Sequence, residues 1–263
     1  MHFDQQKRYS RQINLPEIGL DGQKKLAISS VLVVGAGGLG APLLLYLAAA
    51  GIGRIGIIDA DKVEISNLQR QILFETGDVG RSKVESARDA LLDLNPEIII
   101  EIYNQRLDAD NCAELIVRYD IIADACDNFP TRFLLNKACF AAQKTLVSAA
   151  VIGFRGQLST FKAHLGGEHP CYQCWCPEEP PAEGQNCAAS GVLGSVVGVM
   201  GSLQATEVVK ELLGIGTSLS GYMLLFEGLD LAFRKVRVQK DAHCFCTEKS
   251  AAINKNIHSS HLP

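Results

Sequence analysis

Through the first 150 residues, short apolar runs alternate with stretches whose apolar positions return every three or four residues. The runs predict strands at 31–35, 54–59, 97–103, 120–124 and 144–149. The periodic stretches between them predict helices at 38–51, 80–94, 108–118 and 129–143. Strands alternating with helices give an α/β fold, here a doubly wound, mostly parallel, Rossmann-like sheet that binds ligands at the strand C-terminal ends. Leu43 to Ala50 is apolar on all sides and is expected to be buried. Pro42 suits the first turn of that helix, whose N–H groups have no intrahelical partner.

The second half has another rhythm. Gly153 to Lys162 and Tyr222 to Val238 read as strands, some of them alternating, and extend the sheet with antiparallel members. Cys176 to Ala189 is a loop rich in Pro, Glu, Gly and Gln, and a loop this long inside a compact domain is usually functional or disordered. Small residues then recur at Gly191, Gly194, Gly198, Gly201 and Ala205, which a helix gathers into one flat stripe that a second element can approach closely. Ser195, Ser202, Gln204, Glu207, Lys210 and Glu211 interrupt this apolar stretch well before the ~20 residues a membrane span needs. A packed core helix is expected there, with no membrane role. Residues 248–263 are polar and aperiodic and are expected to form a disordered tail.

Composition narrows the class. The 263 residues suffice for one large α/β domain, and 47% apolar with 21% charged residues is ordinary for a globular chain. A formal charge of −4 argues against nucleic acid as the main partner. Met1 to Arg11 is polar with no apolar run behind it, so no signal peptide is expected. Nine cysteines, odd in number and concentrated late in the chain, do not resemble a secreted disulfide framework. A cytoplasmic protein is expected.

The chemistry gathers behind one turn. Gly35-Ala36-Gly37-Gly38-Leu39-Gly40 follows the apolar run Val31 to Val34, and Asp59 closes the next run, Ile55 to Ile58. A strand, glycines that admit phosphate, a helix start and an acid about twenty residues on for a ribose make a dinucleotide fingerprint. An NAD-dependent oxidoreductase would require little more. Here Asn67, Arg70, Lys83 and Asp127 follow, a set suited to a triphosphate and its metal ion. Ser66 and Gln69 fit a capping box at a helix start, which leaves Arg70 unexplained. Gly80-Arg81-Ser82-Lys83 opens a helix where backbone N–H groups and a lysine can hold phosphate together, although a solvated lysine on a helix is the commoner case. Asp127 or Asn128 could cap the helix that follows them. All these residues fall at strand ends, on the rim where such folds bind ligands.

In these motifs the chain resembles the ThiF, MoeB and HesA family, activators of ubiquitin-like sulfur-carrier proteins. The matching stretches are Arg8-Tyr9-Ser10-Arg11-Gln12, the glycine turn, Asp59-Ala60-Asp61, Ser66 to Gln71, Lys83 and Asp127-Asn128. They continue with Pro170-Cys171-Tyr172-Gln173-Cys174 and Gly198 to Gln204, in order over residues 8 to 246. The resemblance implies an enzyme, a nucleotidyltransferase, that uses ATP and Mg2+ to adenylate the C-terminal glycine of a small β-grasp carrier ending in Gly-Gly, releasing pyrophosphate. It implies one adenylation domain over 1–247, with a nucleotide-binding half at 1–150 and a carrier-binding and zinc half at 151–247. Gly38 would meet the phosphates, Asp59 the ribose, and Ser66, Asn67, Leu68, Gln69, Arg70, Lys83, Asp127 and Asn128 would line the nucleotide. Asp127 would hold magnesium. Arg11 matches an arginine that reaches into the neighbouring subunit's site, which implies a homodimer. Asn186 to Val192 and Ile72-Leu73-Phe74 look closest to ThiF, so a ThiS-type carrier in thiamine thiazole synthesis is expected first. MoeB-type activation of the molybdopterin synthase small subunit is the alternative. The chain leaves no room for a rhodanese domain, so the sulfur donor is expected to be another protein.

The cysteines divide into groups. Cys171-x-x-Cys174 pairs with Cys244 and Cys246 to make a four-thiolate site for a structural Zn2+. The family normally has a second CxxC where this chain has Cys244-Phe245-Cys246, so His243 could ligate in place of Cys244, and Cys176 is a further candidate. Cys112, Cys126 and Cys139 sit in apolar or helical settings and read as packing residues. Cys187 lies just ahead of the small-residue helix, whose N-terminus favours a thiolate. In ThiF-like members a cysteine here can bond to the carrier during sulfur transfer; a loop cysteine without function is the other reading.

Overall fold

The computed structural model of the chain describes residues 3–179 and 191–247. Eight strands make one sheet: β1 (Ser30–Val34), β2 (Arg54–Ile58), β3 (Ile99–Tyr103), β4 (Ile121–Asp124), β5 (Thr145–Ile152), β6 (Arg155–Phe161), β7 (Tyr222–Glu227) and β8 (Ala232–Arg237). Their order across the sheet is β3-β2-β1-β4-β5-β6-β7-β8. The first five in that order pair in parallel, and β6, β7 and β8 continue antiparallel. Helices α1 (Phe3–Arg8), α2 (Ser10–Ile13) and α3 (Gly19–Ile28) precede β1. Helices α4 (Gly40–Ala50), α5 (Lys83–Leu94), α6 (Cys112–Val117) and α7 (Phe129–Ala141) lie in the four crossovers, and α8 (Tyr172–Trp175) and α9 (Gly194–Leu213) belong to the second half.

Successive strand residues point to opposite faces, so each parallel strand feeds two cores. Val31, Val33, Ile55 and Ile57 pack with Leu43, Leu47, Val84, Leu91, Met200 and Val208, the apolar faces of α4, α5 and α9. Leu32, Val34, Ile58 and Ile122 pack with Ile116, Tyr119, Phe133 and Leu135 on the side of α6 and α7. Helices on both faces explain why the central strands are apolar at consecutive positions.

Several boundaries differ from the sequence pattern. The three N-terminal helices carry little apolar periodicity; α3 buries only Gln23 and Leu26. Helix α6 is confined to Cys112–Val117, because the Asp108 carboxylate accepts the N–H groups of Asp110 and Asn111 at 2.9 and 3.1 Å and folds 108–111 into a turn. Strand β5 runs on to Ile152 and returns directly as β6. Gly191 has φ +67° and stands outside α9, so the small-residue stripe begins at Gly194. Helix α4 is not buried all round: Tyr46 is 57% exposed. With Pro42, Leu45, Ile72, Leu94 and Gly198 it lines an apolar groove. Among the described residues no helix is long and apolar enough to cross a membrane. Cys187 and the tail at 248–263 lie outside the described residues.

Candidate functional site

Strand β1 stands between β2 and β4, and the winding of the chain reverses there, which opens a crevice beyond the strand C-terminal ends. Gly35 leaves β1 with φ +97°, and a Cβ on it would lie 2.8 Å from the Ala125 carbonyl oxygen. Only glycine lets this turn run beside the end of β4. Asp59, at the end of β2, accepts the Ala36 N–H on Oδ2 and the Asp61 N–H on Oδ1, both at 2.8 Å. The acid predicted to meet a ribose therefore also braces the glycine turn. Across Gly38, Arg70 Cγ and Val197 Cγ1 stand 3.4 and 3.0 Å from where a Cβ would be, so this residue too must stay small.

Residues 65–67 form a single 3-10 turn, not the start of a longer helix. The N-cap is Glu64, not Ser66, which corrects the expected Ser66–Gln69 box. The chain enters extended at Glu64, so its carboxylate reaches the Asn67 N–H while Asn67 Oδ1 accepts the Glu64 N–H at 3.1 Å. Ser66 stays exposed, with its hydroxyl 3.3 Å from Glu64 Oε2. Leu68 is half-buried and Gln69 exposed. Arg70 donates from Nη1 to the Ser66 carbonyl at 3.1 Å, which steadies the guanidinium stem over Gly38.

Lys83 is not a solvated helix lysine. It opens α5, its side chain is 7% exposed, and Nζ donates to Asp61 Oδ2 at 2.9 Å. Its own N–H donates to the Asp61 carbonyl at 3.0 Å, and Lys62 bridges Ser82, so the segment after β2 is zipped to the start of α5. Three residues beyond β4, Asp127 is exposed. Asn128 caps α7, accepting the Thr131 N–H at 3.0 Å. Arg11 stands exposed on α2. The glycine turn, Asp59 and Asp127 thus follow the C-terminal ends of β1, β2 and β4, with Arg70 against Gly38 and Lys83 against Asp61.

Sequence reasoning gave Asp61 no role of its own and missed the pair Asp124–Arg132 behind Asp127, whose side chains are 1% and 6% exposed and 3.0 Å apart. The available signal was an acid ending a buried strand with an arginine eight residues on, inside the next helix.

A second cluster lies away from the crevice. The sulfurs of Cys171, Cys174, Cys244 and Cys246 all lie within 4.8 Å of one another. The separations are 3.4 Å for Cys171–Cys244, 3.9 Å for Cys171–Cys174 and 3.8 Å for Cys174–Cys246. A tetrahedron with ~2.3 Å metal–sulfur bonds has edges of about 3.8 Å, so the set fits a four-thiolate zinc ion. The neighbouring Cys171 and Cys246 thiols pull the Cys174 thiol well below its usual range. From α7, Asn136 accepts the Tyr172 N–H at 2.8 Å and donates to Cys171 Sγ at 3.5 Å, which fixes the first ligand pair. Cys244 is buried in this cluster, whereas His243 is exposed and is not one of its four members. Cys176 points elsewhere, with Sγ 3.4 Å from the Glu178 carbonyl. Cys112, Cys126 and Cys139 are buried, and burial raises the pKa of all three.

The model of the ThiF family matches residues 9–247. The sulfur carrier protein adenylyltransferase of Thermus thermophilus is 47% identical over 90% of this chain and 89% of its own length. The adenylyltransferase and sulfurtransferase MOCS3 of Mus musculus is 50% identical over 90% of this chain, and that of Culex quinquefasciatus 48% identical over 95%. The chain spans only 51% and 57% of those two relatives. Escherichia coli MccB, solved with ATP, shares the fold with a TM-score of 0.79 at 24% identity, over 92% of this chain and 74% of that one.

Proposed function

The chain belongs to the ThiF family, and on that premise we propose that it adenylates the C-terminal glycine of a ubiquitin-like sulfur carrier. The observation that carries this reading is the placement of three charged groups around the glycine turn: Arg70 lies over Gly38, Lys83 holds Asp61 beside the Asp59 that braces the turn, and the exposed Asp127 follows the strand end packed on Gly35. A hydride-transfer site has no use for that set.

The chemistry follows from charge. The attacking group is a terminal carboxylate with a pKa of about 3.5, already ionised, so no general base is required. One carboxylate oxygen attacks the α-phosphorus of ATP; that bond forms as the bond to the leaving pyrophosphate breaks, giving an acyl-adenylate. An anion must be brought against a polyanion, and charge must be stabilised on the departing pyrophosphate. Arg70 and Lys83 supply fixed positive charge, and Lys83 exchanges the Asp61 carboxylate for phosphate oxygens. The exposed Asp127 carboxylate suits a magnesium ion, which would offset phosphate charge. Losing one such group typically costs ~3–4 kcal/mol, a hundred- to a thousandfold in rate.

The carrier docks on the antiparallel side. Registers Ile152–Arg155, Arg155–Glu227 and Glu227–Ala232 put both hairpin turns on the same edge as the crevice. Ile152, Phe154, Leu229, Leu231 and Phe233 are exposed there, an apolar patch beside the nucleotide. A ThiS-type carrier is the first choice and the molybdopterin synthase small subunit the second; Cys187 takes part only after adenylation, in sulfur transfer. The cysteine cluster holds zinc in a structural role, and residues 1–247 act as one adenylation domain in a cytoplasmic homodimer.

Pyrophosphate exchange tests this. Asp127→Ala abolishes carrier-dependent exchange of labelled pyrophosphate into ATP, while Cys187→Ser leaves it nearly intact. Running the assay with each carrier ranks the two. Exchange blocked equally by both substitutions in folded protein would refute the separation of adenylation from sulfur chemistry, and no exchange with any carrier would refute the function.

A further inference from the structure

Asp127 sits on a loop whose flanking residues are tied down by a set of hydrogen bonds. Asp124 Oδ1 accepts the Cys126 N–H at 3.1 Å, and Oδ2 accepts from Arg132 Nη1 at 3.0 Å and from the Ser148 hydroxyl at 2.7 Å. The same arginine donates from Nη1 to Ser148 Oγ at 3.0 Å and from Nη2 to the Cys126 carbonyl at 2.5 Å. From α9, Gln204 Nε2 donates to the Asp124 and Val147 carbonyls at 2.8 and 3.0 Å. On the far side of Asp127, Asn128 is fixed by its cap on α7. Residues 124, 126 and 128 are each held by hydrogen bonds, and the Asp127 side chain between them is exposed.

A buried ion pair is a poor way to gain stability, because desolvating both charges offsets most of their attraction. Its geometry here does something an apolar pair would not. The arginine's planar fork joins a strand-end carboxylate to a carbonyl two residues on, directly before Asp127. We infer that Arg132 is a positioning residue: its fork between Asp124 and the Cys126 carbonyl aims the Asp127 carboxylate at the metal of the nucleotide. The inference rests on the proposed adenylation.

Manganese is the probe, because its paramagnetic resonance signal reports binding of manganese–ATP without turnover. Arg132→Lys keeps the charge but cannot span both acceptors. It weakens manganese–ATP binding by about ten- to a hundredfold, the usual range when a partner behind a metal ligand is lost. The double variant Asp124→Asn/Arg132→Gln removes both charges and so avoids a lone buried ion; its melting temperature recovers above that of Arg132→Gln alone, while metal–ATP affinity stays low. Wild-type affinity in Arg132→Lys, or affinity that returns with stability in the double variant, would make Arg132 a purely structural residue. Wild-type protein that binds no manganese–ATP at all would instead overturn the adenylation reading.

Discussion

Two charged residues at the crevice are kept ready by opposite means. Lys83 is nearly buried and is held against the Asp61 carboxylate, so its stem is ordered before any phosphate arrives. Asp127 is exposed, and it is the backbone on either side that is ordered. At the cysteine cluster, order and ligation coincide. Cys171 is 1% exposed and its sulfur neighbours those of Cys174 and Cys244. Metal analysis of purified protein should return about one zinc per chain. Cys171→Ser should release it and destabilise the fold by on the order of 4 kcal/mol, as loss of a structural metal does, which a denaturant titration measures. Metal-free protein of undiminished stability would end the zinc assignment.

At the scale of elements, α9 lies against α4 through the small residues of its stripe. A Cβ on Gly201 would stand 2.5 Å from Pro42 Cγ and 2.6 Å from the Leu39 carbonyl, whereas a Cβ on Gly198 would meet nothing within 4 Å. The two glycines therefore differ in kind. Gly201→Ala must push α9 off α4 and should cost ~1–3 kcal/mol, as overpacking does. Gly198→Ala should be neutral or stabilising by up to ~1 kcal/mol, since alanine is the better helix former. Thermal melts of the two variants check this. Equal gains at both positions would mean that helix propensity alone, not close approach, governs the stripe.

At the scale of the molecule, the proposed homodimer would cover the open face of α4 and bring the exposed Arg11 into use. A helix that is apolar all round but presents Tyr46 and Ala49 to solvent calls for a covering surface, and a second copy would bring one. Arg11 would then complete the neighbour's crevice. Mixing an Arg11→Ala subunit with an Asp127→Ala subunit should restore part of the pyrophosphate exchange, because in the mixed dimer one of the two sites keeps both groups. Exchange is read after heterodimers are isolated with two affinity tags. Heterodimers without activity would show that Arg11 does not act across the interface, and a monomer at working concentration would remove the interface itself.

Sequence alone determined what is written between near neighbours. Apolar runs and helical periodicity gave the five parallel strands and their crossovers. The glycine turn was legible because a backbone with positive φ at Gly35, packed on the Ala125 carbonyl, admits no other residue. Asp59 and Asp127 stood out as charges just beyond buried strands, and Arg70 and Lys83 as charges between β2 and the first turn of the helix that follows it. Tertiary structure alone decided the partners. Glu64 rather than Ser66 caps the turn because the chain's entry angle selects it. Lys83 meets Asp61 across 22 residues, and Cys171 meets Cys244 across 73, because the folded sheet closes those loops. Asp124 and Arg132 sit close in sequence, yet their pairing depends on α7 packing back over the end of β4. Spacing along a chain constrains local geometry, but burial and long-range contact set which charge faces which, and that is a property of the closed fold.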